Sequence, residues 1–151
     1  MPSMSPSVAI AKFLEAAGCE FFFGVVGHGN WALLDALANT RIRGVRARCE
    51  DHAVHMADCY WRSKRQPPPA VVVASGGPGA TNLIPALAEA YYSSVALVAL
   101  VGAGPSQWFD RGGIQEAYRT APESWVSLAR PVAQRALMVN RPDTTLEMFV
   151  R

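Results

Sequence analysis

Apolar runs of strand length alternate with segments of helical periodicity along most of this 151-residue chain. Runs at 20–26, 70–74 and 95–101 have the length and composition of β-strands. The segments at 31–38 and 51–64 carry apolar residues at three- and four-residue spacing, as amphipathic helices do. Strands that are apolar on both faces and separated by helices are typical of a parallel sheet. The pattern therefore predicts an α/β fold of three layers, with helices on both faces of the sheet.

The chain is long enough for one domain with a buried core. Residues 1–7 are rich in proline and serine, and we predict a disordered leader there. Residues 8–151 are predicted to form the domain, with its C-terminal helix beginning at Pro142 and truncated by the chain end. Further elements are predicted as helices at 8–17, 80–92 and 122–130, and as strands at 44–49 and 131–137.

Composition excludes several classes of protein. Half of the residues are hydrophobic and 17% are charged, which excludes a disordered chain. A net charge of +2 is too small to indicate a nucleic-acid partner. The longest apolar run is far shorter than the roughly 20 residues that cross a bilayer. The three cysteines, in the absence of a CxxC spacing, predict reduced thiols in a cytoplasmic protein.

Ligands of parallel sheets bind at the carboxyl ends of the strands. In this chain those ends are followed by 27–30, Glu50, 75–82 and 102–115. The functional residues are therefore expected in these loops.

The first loop fits a dinucleotide-binding fingerprint. Gly27, Gly29 and Ala32 match G-x-G-x-x-A, and Glu50 stands about 20 residues further on, where a ribose-binding acid is expected. A helix precedes the supposed first strand, however, and a richer glycine turn follows a later strand. An NAD-binding Rossmann domain is therefore kept as an alternative.

The richest glycine turn has the sequence SGGPGATN at 75–82. Glycines allow a ligand to approach the backbone closely, and the following helix offers unpaired N–H groups. No Gly-Lys-Ser/Thr follows, so the segment is not a Walker A loop. The number of small residues exceeds the need of a turn and indicates a ligand-binding loop.

A metal site is considered on the helix after Glu50, because five potential ligands fall on its consecutive turns: Asp51, His52, His55, Asp58 and Cys59. A single helix lacks the second element that would complete a coordination shell. We therefore prefer solvated or packed histidines and predict no metal ligand in this chain. Glu50 itself either serves a ligand or complements the dipole of the helix that it begins.

Taken together, these loops resemble the pyrimidine-binding domain of thiamine-diphosphate-dependent enzymes, in the branch of acetolactate synthase, pyruvate decarboxylase and benzaldehyde lyase. The resemblance extends from about residue 8 to about residue 135. It rests on four segments in the family's order: FGVVGHGN at 23–30, RCEDHAVHMAD at 48–58, SGGPGATN at 75–82 and GGIQE at 112–116.

The resemblance implies roles for individual residues. Glu50 corresponds to the glutamate that hydrogen-bonds the aminopyrimidine of the cofactor and activates it. His28 and Gln115 correspond to positions near the reacting centre and join Glu50 as candidate catalytic residues. Cofactor contacts are implied for Glu50, Ser75, Gly77, Pro78, Gly79 and Asn82. Substrate contacts are implied for Val26, Gly27, His28 and Asn30.

The resemblance also implies that this chain supplies only one half of the cofactor site. The family holds diphosphate and Mg²⁺ with a Gly-Asp-Gly motif, which does not occur in this chain. We therefore expect thiamine diphosphate to be shared with a second domain or subunit that holds Mg²⁺, in a homo- or hetero-oligomer that acts on 2-oxo acids. The chain alone is expected to be inactive. A non-catalytic interaction module with this fold is a further alternative.

Overall fold

A computed structural model describes residues 4–64, 68–105, 107, 111 and 124–150. Its centre is a four-stranded sheet in the order β2-β1-β3-β4. The strands are β1 (Phe21–Gly24), β2 (Arg43–Arg46), β3 (Ala70–Ala74) and β4 (Leu97–Val101). All neighbouring strands run parallel, and the α/β fold predicted from the sequence is confirmed.

Within the described ranges, seven α-helices accompany the sheet: α1 (Pro6–Ala16), α2 (Trp31–Ala38), α3 (Glu50–Ser63), α4 (Pro78–Asn82), α5 (Ile84–Tyr92), α6 (Ser124–Ala129) and α7 (Thr145–Val150). Helices α1 and α2 contribute to one hydrophobic core, and α3 and α5 contribute to the other. The sheet therefore has helices on both faces. None of the helices in these ranges has both the length and the apolar character needed to cross a membrane.

Strand β3 separates the two cores. Ala70, Val72 and Ala74 pack with α3 and α5, whereas Val71 and Val73 pack with α1 and α2. All five side chains are at most 2% exposed. A strand that alternates between two apolar cores has no polar position, and this explains the continuous run AVVVA. The strand has the bounds predicted from that run.

Helix α1 begins at Pro6, inside the segment predicted as a leader. The Ser5 side chain accepts a hydrogen bond from Val8 N at 3.4 Å and caps the helix, while Pro6 occupies its first position. The helix predicted over 80–92 is instead divided into α4 and α5 at Leu83. Pro85 lacks the N–H that would continue the hydrogen-bond pattern of α4.

The strand predicted over 131–137 does not belong to the sheet. Residues 130–132 form a 3₁₀ turn, and those at 133–141 pair with none of the described strands. Pro131 removes a backbone donor, and Gln134 and Arg135 interrupt the apolar run that a buried strand requires. The final helix is preceded by a 3₁₀ turn at Pro142–Thr144 and contacts α1 through Phe149.

Candidate functional site

The loops after β1, β3 and β4 meet at the carboxyl edge of the sheet. Gly29 N donates a hydrogen bond to Ser75 Oγ at 3.2 Å. A Cβ added to Gly27 would lie 2.8 Å from the same oxygen, and one added to Gly76 would lie 2.7 Å from the Gly102 carbonyl oxygen. The glycines at these positions allow the three loops to pack directly against one another. Gly102, the first residue after β4, thus contacts the loops after β1 and β3.

The loop after β1 is closed by the side chain of Asn30, which is 2% exposed. Its Oδ1 accepts a hydrogen bond from Gly27 N at 3.0 Å, and its Nδ2 donates to the Val25 carbonyl at 2.9 Å. The amide of Asn30 therefore holds the loop in shape, and a substrate contact through it is not supported by this geometry. His28 and Val26 are exposed on the same loop.

The carboxylate of Glu50 lies against the loop after β3. Glu50 is the first residue of α3, and its Oε2 accepts a hydrogen bond from Asn82 Nδ2 at 3.1 Å. A Cβ added to Gly79 would lie 2.9 Å from Oε1. Within the described residues, Oε1 accepts no hydrogen bond. The structure thus brings together Glu50, Gly79 and Asn82, which the sequence analysis predicted for one site.

Gly77 turns the chain from β3 into α4. Its φ of +63° lies in the region that favours glycine, and Pro78 follows it as the first residue of α4. This turn brings Gly79 and Asn82 to the first turn of α3. Ser75, which precedes the turn, is buried and uses its hydroxyl to accept the hydrogen bond from the loop after β1.

Cys49 and Asp51, which flank Glu50 in the chain, interact with each other. A hydrogen bond with the Cys49 thiol lowers the pKa of the Asp51 carboxyl, which also accepts a hydrogen bond from His52 N at 2.7 Å. The same hydrogen bond raises the pKa of the thiol. Cys49 Sγ also lies 3.9 Å from Glu50 Oε2. The Cys49 thiol therefore interacts with Asp51 and lies near the Glu50 carboxylate, an arrangement that the sequence pattern did not reveal.

The potential metal ligands of α3 do not converge. His52, His55 and Cys59 are exposed, whereas Asp58 is buried and binds Arg62, with 3.2 Å between Oδ2 and Nη2. Over the described part of the chain, no group of three or more His, Cys, Asp or Glu side chains is arranged to hold a metal ion.

The geometry does not favour the dinucleotide-binding alternative. Gly27 and Gly29 pack against Ser75 instead of facing an open helix end. The Glu50 carboxylate contacts the loop after β3, although that alternative requires it to serve a ligand bound at the first glycine turn. Gln115, the third candidate catalytic residue, lies outside the described residues.

An open cavity of about 640 Å³ lies at the carboxyl ends of β1 and β2. The described residues that line it are Val25, Val26, Arg46, Ala47 and Arg48. This cavity could not be predicted from the sequence, because the alternation of side chains along one strand does not show which loop covers the end of the neighbouring strand.

Comparisons with known proteins show which family the chain resembles in sequence. A family model described as "Thiamine pyrophosphate enzyme, N-terminal TPP binding domain" matches residues 4–121. A probable acetolactate synthase large subunit of Methanocaldococcus jannaschii is 31% identical over 146 residues, which cover 97% of this chain and 23% of that protein. Acetolactate synthase isozyme 1 large subunit of Escherichia coli is 36% identical over 108 residues, or 71% of this chain and 19% of that protein.

A chloroplastic acetolactate synthase of Arabidopsis thaliana is also 36% identical over 108 residues, which cover 71% of this chain and 16% of that protein. The chain spans less than a quarter of the length of these relatives. The family match extends over most of the chain and includes the loops that surround Glu50. The chain belongs to the thiamine pyrophosphate enzyme family and carries the N-terminal TPP-binding domain of its acetolactate synthase branch.

Proposed function

We propose that this domain forms the pyrimidine side of a thiamine-diphosphate site in an acetolactate-synthase-like carboligase or decarboxylase that acts on 2-oxo acids. The observation that carries the proposal is the position of Glu50, whose carboxylate is hydrogen-bonded by Asn82 and lies against Gly79. The names of the relatives support the acetolactate-synthase-like activity.

The residues present fit an aminopyrimidine. Gly79 leaves open the space next to Glu50 Oε1 that a Cβ would occupy. Oε1 is the carboxylate oxygen that receives no donor from the described residues, so it is available to a ring nitrogen. Gly77, Pro78 and Gly79 would form the wall of the site. Thiamine diphosphate, when bound, supplies a nucleophilic carbon and an electron sink.

Glu50 would hold and exchange the proton on its Oε1. A carboxyl group suits this task because it can share a proton with a nitrogen base across a short hydrogen bond. Asn82 keeps Oε2 occupied and thereby directs Oε1 toward the open space. Asn82 and Gly79 both belong to α4, so the same helix holds the carboxylate and leaves the space next to it open. The carboxylate would therefore be oriented before the ligand binds.

The remaining predicted residues are proposed for the reacting side of the site. His28 is exposed, and an imidazole in this position can donate or accept a proton. Val26 and Gly27 would lie near the substrate on the same loop. Asn30 would act through the shape of this loop, whereas Gln115 is proposed only from the family resemblance.

We further propose that the diphosphate and Mg²⁺ are held by another domain or subunit, within a homo- or hetero-oligomer. The relatives are more than four times as long as the matched region, which leaves room for such a domain in them. The proposed location is the cytoplasm, where the three cysteines would stay reduced.

The test is a Glu50→Gln substitution in the enzyme assembled with its diphosphate-binding partner and Mg²⁺. Glutamine retains the size of the side chain and an oxygen that accepts the hydrogen bond from Asn82 Nδ2, but it cannot exchange the proton. We expect pyruvate consumption to fall about 100-fold or more, with an unchanged circular dichroism spectrum.

The matched control is Glu89→Gln, which alters an exposed glutamate on α5 and should leave the rate unchanged. An unaltered rate for Glu50→Gln would instead support a non-catalytic interaction module with this fold.

A further inference from the structure

Four exposed arginines follow one another along β2 and its flanking residues: Arg41, Arg43, Arg46 and Arg48. The first two have partners. Arg41 Nε lies 3.1 Å from Glu15 Oε1, and the Arg43 guanidinium lies 4.4 Å from the centre of the Phe21 ring. The first half of this arginine series is therefore accounted for by contacts within the fold.

Arg46 and Arg48 differ from the first two. Across the described ranges, neither side chain makes a hydrogen bond or an ion pair. They flank Ala47, which is 5% exposed and belongs to the core on the α3 side of the sheet. Ala47 N continues the strand pairing by donating to the Gly24 carbonyl at 2.9 Å. Arg46 is the last residue of β2, and Arg48 lies in the bend that follows Ala47.

Both arginines line the open cavity of about 640 Å³ at the ends of β1 and β2. Val25 and Val26, from the loop after β1, line it as well, and Val26 is 60% exposed. The volume is within the usual range for small-molecule sites. Guanidinium groups bind carboxylates and phosphates through charge-assisted, often paired hydrogen bonds. The cavity thus combines two anion-binding groups with a small apolar wall.

We propose that Arg46 and Arg48 bind the headgroup of a small organic anion, a carboxylate or a phosphate, whose short apolar body lies against Val25 and Val26. The residues around the Glu50 carboxylate, Gly79 and Asn82, are not among those that line this cavity. Val26 is also a proposed substrate contact, so this wall of the cavity rests on the proposed function. The anion site itself requires neither Glu50 nor the cofactor, and its titration is separate from the assay of turnover.

The test measures binding to the full chain by titration, followed through the backbone amide resonances of Val25, Val26 and Ala47. Isovalerate is the carboxylate probe, inorganic phosphate is the phosphate probe, and isovaleramide is the neutral analogue of the first. We expect saturable shifts with one or both anions and none with isovaleramide. The anion that binds with the lower dissociation constant shows whether the headgroup is a carboxylate or a phosphate.

Arg46→Gln and Arg48→Gln should each weaken anion binding about tenfold, because each removes charge-assisted hydrogen bonds to the headgroup. Arg41→Gln and Arg43→Gln are the matched controls and should bind as the unaltered chain does. Equal binding of isovaleramide, an equal loss in the controls, or shifts that never saturate would overturn the proposal. Unchanged spectra of the variants in the absence of anion confirm that each remains folded.

Discussion

The loops after β1 and β3 both follow buried strands and both contain glycines, yet they use their polar side chains differently. In the first loop, both ends of the Asn30 amide bond to backbone atoms of the same loop. In the second, the Asn82 amide reaches Glu50 on another element. The first loop is therefore held by its own hydrogen bonds, whereas the second orients a carboxylate. One acts mainly as a scaffold and the other mainly as the proposed site.

The two classes of position should separate in experiment. Substitutions in the scaffold should lower the free energy of unfolding, whereas substitutions next to Glu50 should lower activity with little change in stability. The loss in the free energy of unfolding of the chain should decrease in the order Gly102, Asn30, Ser75 and Gly79.

Gly102→Ala should have the largest effect, because its Cβ would overlap with backbone atoms of Gly29. Backbone cannot move aside as a flexible side chain can, so we expect a loss of about 3 kcal/mol. Urea unfolding of the chain measures it. Gly104→Ala is the control, since nothing lies within 4 Å of the added Cβ. Equal stability of the two variants would contradict the close packing of β4 on the first loop.

Asn30→Ala should cost about 2 kcal/mol, because Gly27 N and the Val25 carbonyl both lose their partner in a partly buried loop. Asn39→Ala, which removes an exposed hydrogen bond to the Asp35 carbonyl, is the control and should cost much less. The same urea unfolding experiment compares them. A cost no larger than that of the control would mean that the amide of Asn30 is not what holds the loop.

Ser75→Ala should cost about 1 kcal/mol, since Gly29 N loses the acceptor that joins the two loops. Ser63→Ala removes an exposed hydroxyl from the end of α3 and serves as the control. Hydrogen exchange at the Gly29 amide should become faster in Ser75→Ala alone. Unaltered exchange there would show that this bond does not couple the loops.

Gly79→Ala should have the smallest effect on stability, within about 0.5 kcal/mol, because alanine favours the helix while its Cβ crowds only the end of the Glu50 side chain. Activity of the assembled enzyme should nevertheless fall about tenfold, since Oε1 is displaced. Thr81→Ala on the same helix is the control. A large loss of stability in Gly79→Ala would mean that the loop after β3 serves mainly as scaffold, as the loop after β1 does.

Strong local patterns allowed parts of the fold to be predicted closely. The bounds of β3 and α2 agree with those expected from the apolar run AVVVA and from the spacing of Leu33, Leu34 and Leu37. The strand predicted over 131–137 is wrong, because a short run with few apolar residues cannot be distinguished from an extended connection without knowing its neighbours. Whether a segment forms a strand depends on a neighbouring strand that can pair with it as well as on its own residues.

For the candidate site, the sequence placed Glu50 and the glycine loop at the same edge of a parallel sheet. It did not reveal that Asn82 hydrogen-bonds Glu50, because the two residues are 32 positions apart in the chain. Nor did it reveal that Asn30 turns inward while Val26 remains exposed. Such choices depend on side-chain directions within irregular loops, where no periodicity exists to predict them.

The sequence by itself determined the layers of this protein, because strands that are apolar on both faces must be covered on both sides. It also indicated the family, through four short segments in a fixed order. Only the tertiary structure decided which oxygen of Glu50 is engaged, which asparagine serves its own loop, and which arginines lack a partner within the described chain. These outcomes depend on contacts between segments far apart in the chain, and such contacts exist only after the loops have packed together.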